Sequence, residues 1–421
     1  VNRSAVLPGN RWDLLAGIQP DAPAAVTVVI PYFEAPRQLA LVLAGLEAQT
    51  HPATRLQVLV VDDGSRQPPQ VPAGVHVLRQ ADRGFRAAAA RNLGAAAADG
   101  EVLCFLDGDT VPEPGYVAAA SRLPALCSDA VVVGRRRHAD LRGVTAAGLA
   151  AFLRAPTREL TEPAWLRSAY ARSGDLLAAD DRSYRYVISA VLTTGRAIFQ
   201  EVGGFDATLV GYGGEDWELA HRLWCQGAVL AHERRAVAWH DGPDWAERSE
   251  SDAATHLETK NAETVALAVR IPDPQLRGEG WWPPYAAVVA QLAVGDDAAA
   301  ALLCVRDLLR RDVAVWLDRP LAGTAGDPRV SVGVVPTAAM ARAWVLLALD
   351  RPVIVDLDGV RQRLTGDVGE LLAPGLRAVR PRAVSRAARH GVPLRAVFRG
   401  VEDGAVTAPI GSPDLARRLP S

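Results

Sequence analysis

Lysine is almost missing from this 421-residue chain: of 46 basic residues all but Lys260 are arginine, while alanine is abundant. That combination reads as the mark of GC-rich coding rather than of function, and it lowers the weight of alanine-rich helical periodicity. Cysteine is scarce as well, with single residues at 104, 127, 225 and 304. The paired spacing of a zinc site and the density of a disulfide-stapled secreted domain are both absent, which fits a reducing, cytoplasmic setting. No apolar run reaches the roughly 18 residues of a membrane span, and the opening VNRSAVLPGN lacks the basic-then-apolar grammar of a signal peptide. The expectation is a chain without an integral membrane segment, with peripheral docking at a membrane left open. Positive charge is not in excess either: the formal net charge is −2, with both signs mixed along the chain. A phosphate-backbone partner needs a basic face, so nucleic acid is not an expected partner.

What the chain does have is length and apolar content. At roughly 150 residues per domain it predicts two or three domains, and 49% hydrophobic residues are ample for real cores. Residues 1–23, with Pro8, Pro20 and Pro23 and a short amphipathic stretch at 12–18, read as an N-terminal arm. From Val26 the pattern becomes regular. VTVVI is a β-branched run, PYFEAP a loop, QLALVLAGLEAQ a helix and LQVLVVDDGS a buried run ending in acids. The cycle then repeats, with VHVLRQ as a strand, RGFRAAAARNLGAAAADG as a helix closed by Gly100, and EVLCFLDGDT as a strand that again ends in acids. Continuous apolar strands alternating with helices predict an α/β fold built on a mostly parallel sheet.

Between about 141 and 181 the pattern loosens into a polar and aromatic insertion on the substrate side. The Pro- and Gly-rich segment 271–284 reads as a linker between a first domain at 24–270 and an α/β accessory domain at 285–421. In that second half PYAAVVAQLAV, VAVWLD, RVSVGVV and RPVIVDLDG read as strands with helices between them. Asp318 and Asp358 then stand where Asp62 and Asp107 stand in the first, so a degenerate duplication is expected, with Val360 where the first copy has Asp109. Such a copy has lost the chemistry and serves as scaffold, acceptor platform or dimer surface; a homodimer is left open.

Ligands of open parallel sheets sit beyond the carboxyl ends of the strands, and here those ends carry Glu34, Asp62, Asp63, Asp107 and Asp109. A rim of carboxylates is unfavourable unless a cation, donors or a ligand compensates it. The Asp107-Gly108-Asp109 triplet suits one hard cation, magnesium or manganese, with coordination positions left for water and diphosphate oxygens.

The series VTVVIPYFEAP, VLVVDDGS, GFRAAAARNLGAA, FLDGD, VGGFD and GGEDWEL resembles glycosyltransferase family 2, the GT-A fold enzymes that use nucleotide-sugar donors. The resemblance covers about residues 24–245 and is nearest to the branch holding chondroitin-polymerase modules and polypeptide N-acetylgalactosaminyltransferases. It implies a nucleotide contact from Pro31, Tyr32, Glu34 and Asp63, whose carboxylate suits a base N–H or a ribose hydroxyl. Arg86 and Arg91 join this nucleotide set or else pair with the rim acids, and Asn92 orients the segment. Asp107 becomes a ribose or metal-side contact, Asp109 the direct metal ligand, and His240 a further ligand to the metal or diphosphate.

Glu215 and Asp216 match the acceptor-side acidic motif, with Asp216 as the base, and Gly213, Gly214 and Trp217 as acceptor contacts. The competing reading of these acids is a helix cap completed by Glu218. Trp165, Tyr170, Tyr184 and Tyr186 are candidate sugar-stacking or core aromatics, and the run Arg135 to Arg137 is more readily a solvated strand end than a contact for an anionic acceptor. The whole implies a metal-dependent, inverting transferase that moves a sugar from a nucleotide-diphosphate donor, UDP-sugar foremost, to a carbohydrate or other hydroxyl-bearing acceptor. The membrane-polymerase QxxRW signature is missing, since WCQGA has its residues in another order, so addition of one or a few sugars is expected. A sugar nucleotidyltransferase is the alternative enzyme, although PYFEAP is not the glycine-rich basic loop that a triphosphate needs; a non-catalytic nucleotide-sugar binding protein is the other.

Overall fold

A computed structural model describes residues 4–211, 213–243, 253–278 and 285–410. The chain divides into two compact units, Val1–Leu223 with Ala228–Ala266, and Trp224–Gly227 with Leu267–Ser421. The first three residues of the expected arm and positions 279–284 of the expected linker lie outside the described residues. Among the described residues no helix is long and apolar enough to cross a membrane.

The first unit contains β1 (Val26–Tyr32), β2 (Leu56–Asp62), β3 (Val75–Arg79), β4 (Val102–Leu106), β5 (Thr110–Pro112), β6 (Ala130–Ala139), β7 (Glu159–Leu160), β8 (Val191–Gly195) and β9 (Val229–Asp241). Its helices are α1 (Pro36–Glu47), α2 (Ala87–Ala96), α3 (Tyr116–Leu126), α4 (Leu149–Arg154), α5 (Ala164–Ser173), α6 (Arg196–Glu201), α7 (Glu215–Cys225) and α8 (Ala253–Arg270). The strands order as β3-β2-β1-β4-β8-β6-β9-β5, with β7 added to β6. β3, β2, β1 and β4 are parallel throughout, β8 runs against β4 and β6, and β9 is again parallel to β6. The mostly parallel α/β sheet expected from the apolar runs is therefore present. β4 is buried at every position, which is why its sequence is apolar without alternation.

The N-terminal segment lies on this unit. Leu7 and Leu15 pack with Leu123, Cys127, Val132 and Val229, and the Asn10 amide donates to the carbonyls of Leu176 and Leu230 while accepting from the Leu230 N–H. Gly100 departs from expectation. α2 ends at Ala96, four residues before it, and Gly100 instead lets the chain pass β1, where a Cβ would lie 2.6 Å from the Thr27 nitrogen.

The second unit holds α9 (Pro274–Arg277), β10 (Val288–Leu292), α10 (Ala298–Leu308), β11 (Val313–Leu317), β12 (Val330–Val332), α11 (Thr337–Met340), β13 (Val345–Leu349), β14 (Val353–Val355), α12 (Leu357–Arg363), β15 (Val368–Ala373), β16 (Leu376–Val379), α13 (Pro381–His390), α14 (Leu394–Val397), β17 (Arg399–Glu402) and β18 (Thr407–Pro409). Its main sheet orders as β12-β11-β10-β13-β16-β15-β17, with β14 and β18 paired apart from it. Strand for strand this repeats β3-β2-β1-β4-β8-β6-β9, with the same sequence of parallel and antiparallel neighbours. Asp318 falls one residue from its expected counterpart Asp62 and matches Asp63 instead: its N–H bonds the Leu292 carbonyl as the Asp63 N–H bonds that of Tyr32.

The expected partner of Asp107 is wrong, however. Asp358 lies inside α12, and the acid that follows the fourth strand is Asp350. The error came from reading AWVLLALD as helix. Five of its residues form β13, whose Val345, Leu347 and Leu349 alternate into the core of this unit.

α2 meets the sheet through Gly94, where a Cβ would stand 2.3 Å from Val29 Cγ1 and 3.0 Å from Val61 Cγ2. Alanine gains about 1 kcal/mol of helix propensity over glycine, but both neighbours are stiff β-branched side chains inside a packed layer. Gly94→Ala should therefore lower stability by about 1–3 kcal/mol, read as a reduced urea midpoint at unchanged slope; a raised midpoint would show that the layer yields.

Candidate active site

A cavity of about 450 Å³ in the first unit gathers residues from seven separated stretches of sequence. β4 ends at Leu106 and releases Asp107, α2 brings Arg91, and the turn before α7 brings Gly213, Gly214, Glu215, Asp216 and Trp217. α8 adds Lys260 and Glu263. Gly213 and Gly214 take φ of 90° and 89°, a left-handed run that side chains resist. Three acids then open α7, where the amino-terminal dipole favours them, and Arg222 closes it. Glu218 is fully buried and held by Arg222 Nε at 2.7 Å.

Arg91 is the hub. Its guanidinium is 3% exposed, with Nη2 at 2.6 Å from Asp107 Oδ1 and Nη1 at 2.8 Å from Glu215 Oε1. The sequence reading gave it to the nucleotide; the structure commits it to the acids, the competing possibility. Glu215 is thereby fixed in place beside Asp216. Among the described residues the Asp216 carboxyl forms no ion pair and accepts from the N–H groups of Trp217 and, at 3.4 Å, Ser189. Burial, and then the Glu215 charge, push it up to about 7.

Asp109 lies two residues beyond Asp107 and faces His240, with Oδ2 to Nε2 at 3.4 Å. His240 Nδ1 lies 3.1 Å from the Gly242 carbonyl, which orients the ring with Nε2 turned toward Asp109. Cis ligands at about 2.1 Å from one ion stand roughly 3 Å apart, so this carboxylate and imidazole fit a manganese or magnesium ion with its other positions filled by water and phosphate oxygens. Among the described residues no cluster of three or more protein ligands forms, and Asp107 is engaged by Arg91. Burial opposes ionisation of Asp109, yet hydrogen bonding and charge from His240 hold its carboxyl below the ordinary value.

The remaining nucleotide candidates form a second group at the ends of β1 and β2. Asp63 accepts from the Arg86 backbone N–H at 2.8 Å and from Gln80, and the Glu34 N–H donates to Ser65 Oγ. Pro31 and Tyr32 close β1. The Arg86 side chain turns to the Ala81 carbonyl. These residues do not line the 450 Å³ cavity. Asp62 is a turn residue, fully buried and accepting from the Ser65 N–H, and Asn92 clamps both backbone groups of Phe205.

The four aromatics of the insertion divide. Trp165 and Tyr186 line the cavity, whereas Tyr170 stacks on His232 and Tyr184 is fully buried beside Trp217. The arginine run is not a solvated strand end: Arg135 pairs with Glu162 at 2.7 Å, Arg136 lines the cavity, and Arg137 stacks on Trp239 at 4.0 Å. Lys260 and Glu263, paired at 2.7 Å, are cavity residues that sequence reasoning passed over. The signal was there, because one lysine in a chain that otherwise uses arginine is itself an anomaly.

Residues 27–169 match the model of glycosyl transferase family 2, and residues 178–235 match that described as the N-terminal domain of galactosyltransferase. The chain is 28% identical over 255 residues to a chondroitin synthase of Pasteurella multocida, covering 54% of this chain and 26% of that one. It is 30% identical over 234 residues to a validoxylamine A glucosyltransferase of Streptomyces hygroscopicus, covering 50% and 54%. To a pre-mycofactocin glycosyltransferase of Mycobacterium tuberculosis it is 30% identical over 263 residues, covering 59% and 48%. The chain thus spans only a quarter to a half of the length of these relatives. The matched residues 27–169 lie in the first unit and take in β1 from Thr27, β2 to β4 and the Asp107-Gly108-Asp109 turn, so this stretch is similar to glycosyl transferase family 2.

Proposed function

We propose that the chain is a metal-dependent glycosyltransferase that moves a sugar from a nucleotide-diphosphate donor, UDP-sugar foremost, to an acceptor hydroxyl, with inversion and in one or a few additions. The observation that carries this reading is Asp216, a carboxyl pushed up to about 7 that lines the same cavity as Asp107, two residues from the Asp109–His240 pair. Such a group holds and releases a proton near neutral pH, as a general base for a sugar hydroxyl requires. Asp216 takes the hydroxyl proton while the oxygen attacks the anomeric carbon; Arg91 keeps Glu215 and Asp107 in place. Asp109 and His240 hold the metal, and a bound divalent cation supplies the positive charge that stabilises the departing diphosphate. Trp165, Tyr186 and Trp217 offer flat faces against which acceptor or donor rings orient. Asp63 and the end of β1 hold the nucleoside. The order of residues in WCQGA supports short additions over processive synthesis.

Asp216→Asn should lower transfer about 10²–10⁴-fold and leave manganese-dependent UDP binding intact; normal transfer by this variant would sink the base assignment. Since the base works deprotonated, activity should be low at acid pH and rise through a midpoint near 7, as the raised carboxyl demands; a flat profile from pH 5 to 8 in a chemistry-limited assay would contradict it. His240→Ala should weaken manganese binding about tenfold or more, measured directly by titration of the free protein with UDP present. Unchanged affinity would remove His240 from the metal site.

A further inference from the structure

The imidazole that faces Asp109 has a second imidazole beside it. His138, near the end of β6, stands opposite His240 of β9 in their parallel register, and the two rings lie 4.9 Å apart at 47°. Both side chains are buried. Nδ1 of each ring lies 3.1 Å from one acceptor, the Gly242 carbonyl oxygen. A carbonyl oxygen has two lone pairs, so it accepts from both imidazoles at once and ties the rings to a common point.

A fault in the sheet makes this pair. Gly134 of β6 is matched with Glu233 of β9, but the next residue, Arg135, is matched with Val237. Continued from Gly134 and Glu233, the register would set His138 against Val237; the shift sets it against His240 instead. Irregularities of this kind re-aim the side chains that follow them. Gly134 permits it, because a Cβ there would stand 2.8 Å from the Ala236 carbonyl oxygen.

The shared carbonyl is itself held from several sides. The Gly242 N–H donates to the Ala139 carbonyl at 2.8 Å, and the Asp241 N–H to that of Asp109 at 2.9 Å. The Asp241 carboxylate accepts from the Leu141 N–H at 2.9 Å and pairs with Arg37, whose Nη1 donates to the Leu141 carbonyl at 3.1 Å. Gly242 takes φ 109°, a conformation that strains any side chain. Yet a Cβ on Gly242 would meet nothing within 4 Å. The glycine therefore serves the direction of its backbone rather than a shortage of space.

We propose that His138 is a positioning residue for metal binding: through the Gly242 carbonyl it fixes the His240 ring so that Nε2 stays directed at Asp109. It acts on the ion by way of His240. The inference rests on the metal-dependent reading of the site and adds to it a residue outside the Asp109–His240 pair on which cation affinity depends.

Manganese affinity of the full chain, read from the electron spin resonance signal of free Mn(II) with UDP present, tests it. His138→Phe keeps a ring and loses the N–H, and should weaken manganese about tenfold. His138→Asn loses the ring but keeps an N–H at the same reach from the backbone, and should stay within about threefold of the unaltered protein. A side chain that merely filled space would give the opposite order. Gly242→Ala, at a half-buried position with room for the methyl group, should weaken manganese about threefold or more by turning the carbonyl; it carries the test should His138→Phe not fold. Full affinity in His138→Phe, weaker binding by His138→Asn than by His138→Phe, or an unchanged Gly242→Ala would overturn the positioning role alone. If the unaltered protein binds no manganese, the metal-dependent reading falls, and this inference with it.

Discussion

Arg91 is placed where a buried guanidinium joins an acid at the end of β4 to an acid at the start of α7, residues more than a hundred positions apart in the chain. Of the carboxylates that line this cavity, Asp107 and Glu215 take the Arg91 fork; Asp216 accepts from backbone donors and feels the field of its charged neighbour. How Arg91 is shared is what tunes the site. One acid pair is held by the guanidinium and the Asp216 carboxyl is driven toward neutrality, where it can exchange a proton. Removing the guanidinium would leave the largely buried Glu215 and the part-exposed Asp107 without their shared partner, which is destabilising chiefly through Glu215. Positioning and proton affinity therefore depend on the same side chain. The depth of that dependence follows from Gly94, one turn further along α2, which lets the helix approach β1 and β2 closely enough for Arg91 to reach.

Much of this was legible in the sequence, and the boundary of legibility has a physical cause. Strands buried on both faces write themselves as apolar runs, so β1, β2 and β4 and the acids beyond them could be found without coordinates. The Asp107-Gly108-Asp109 turn and the Gly-Gly-Glu-Asp segment were readable because special backbone and paired acids are local properties. Partners were not. Whether Arg91 meets a phosphate or a carboxylate depends on α7, and whether Tyr170 stacks on a sugar or on His232 depends on β9. The β13 error is of the same kind: AWVLLALD has good helix formers, but tertiary burial between β10 and β16 decides its state. The arginine run was misjudged because the register shift that gathers Arg135 and Arg136 belongs to a strand pair, not to either strand.

The second unit separates the fold from its chemistry. It repeats the strand order and directions of the first, so the sheet alone does not make the site. The differences lie in the connections. Between the fourth strand and the short strand after it the first unit has Asp107-Gly108-Asp109, and the second has Asp350-Arg351-Pro352, one carboxylate in place of two. Between β6 and β8 the first unit inserts α4, β7 and α5, which carry aromatic faces; β15 and β16 are joined by Pro374 and Gly375 alone. Where the first unit brings its glycine pair and three acids at the head of α7, the second has α13, whose Arg382 and Arg386 are buried against Trp224 and Phe398. The Asp107-Gly108-Asp109 turn, the insertion carrying α4, β7 and α5, and the acidic head of α7 are thus three separable additions to one sheet. Each is absent from the second unit for a different local reason, and the proposed transfer needs all three at the ends of the same strands.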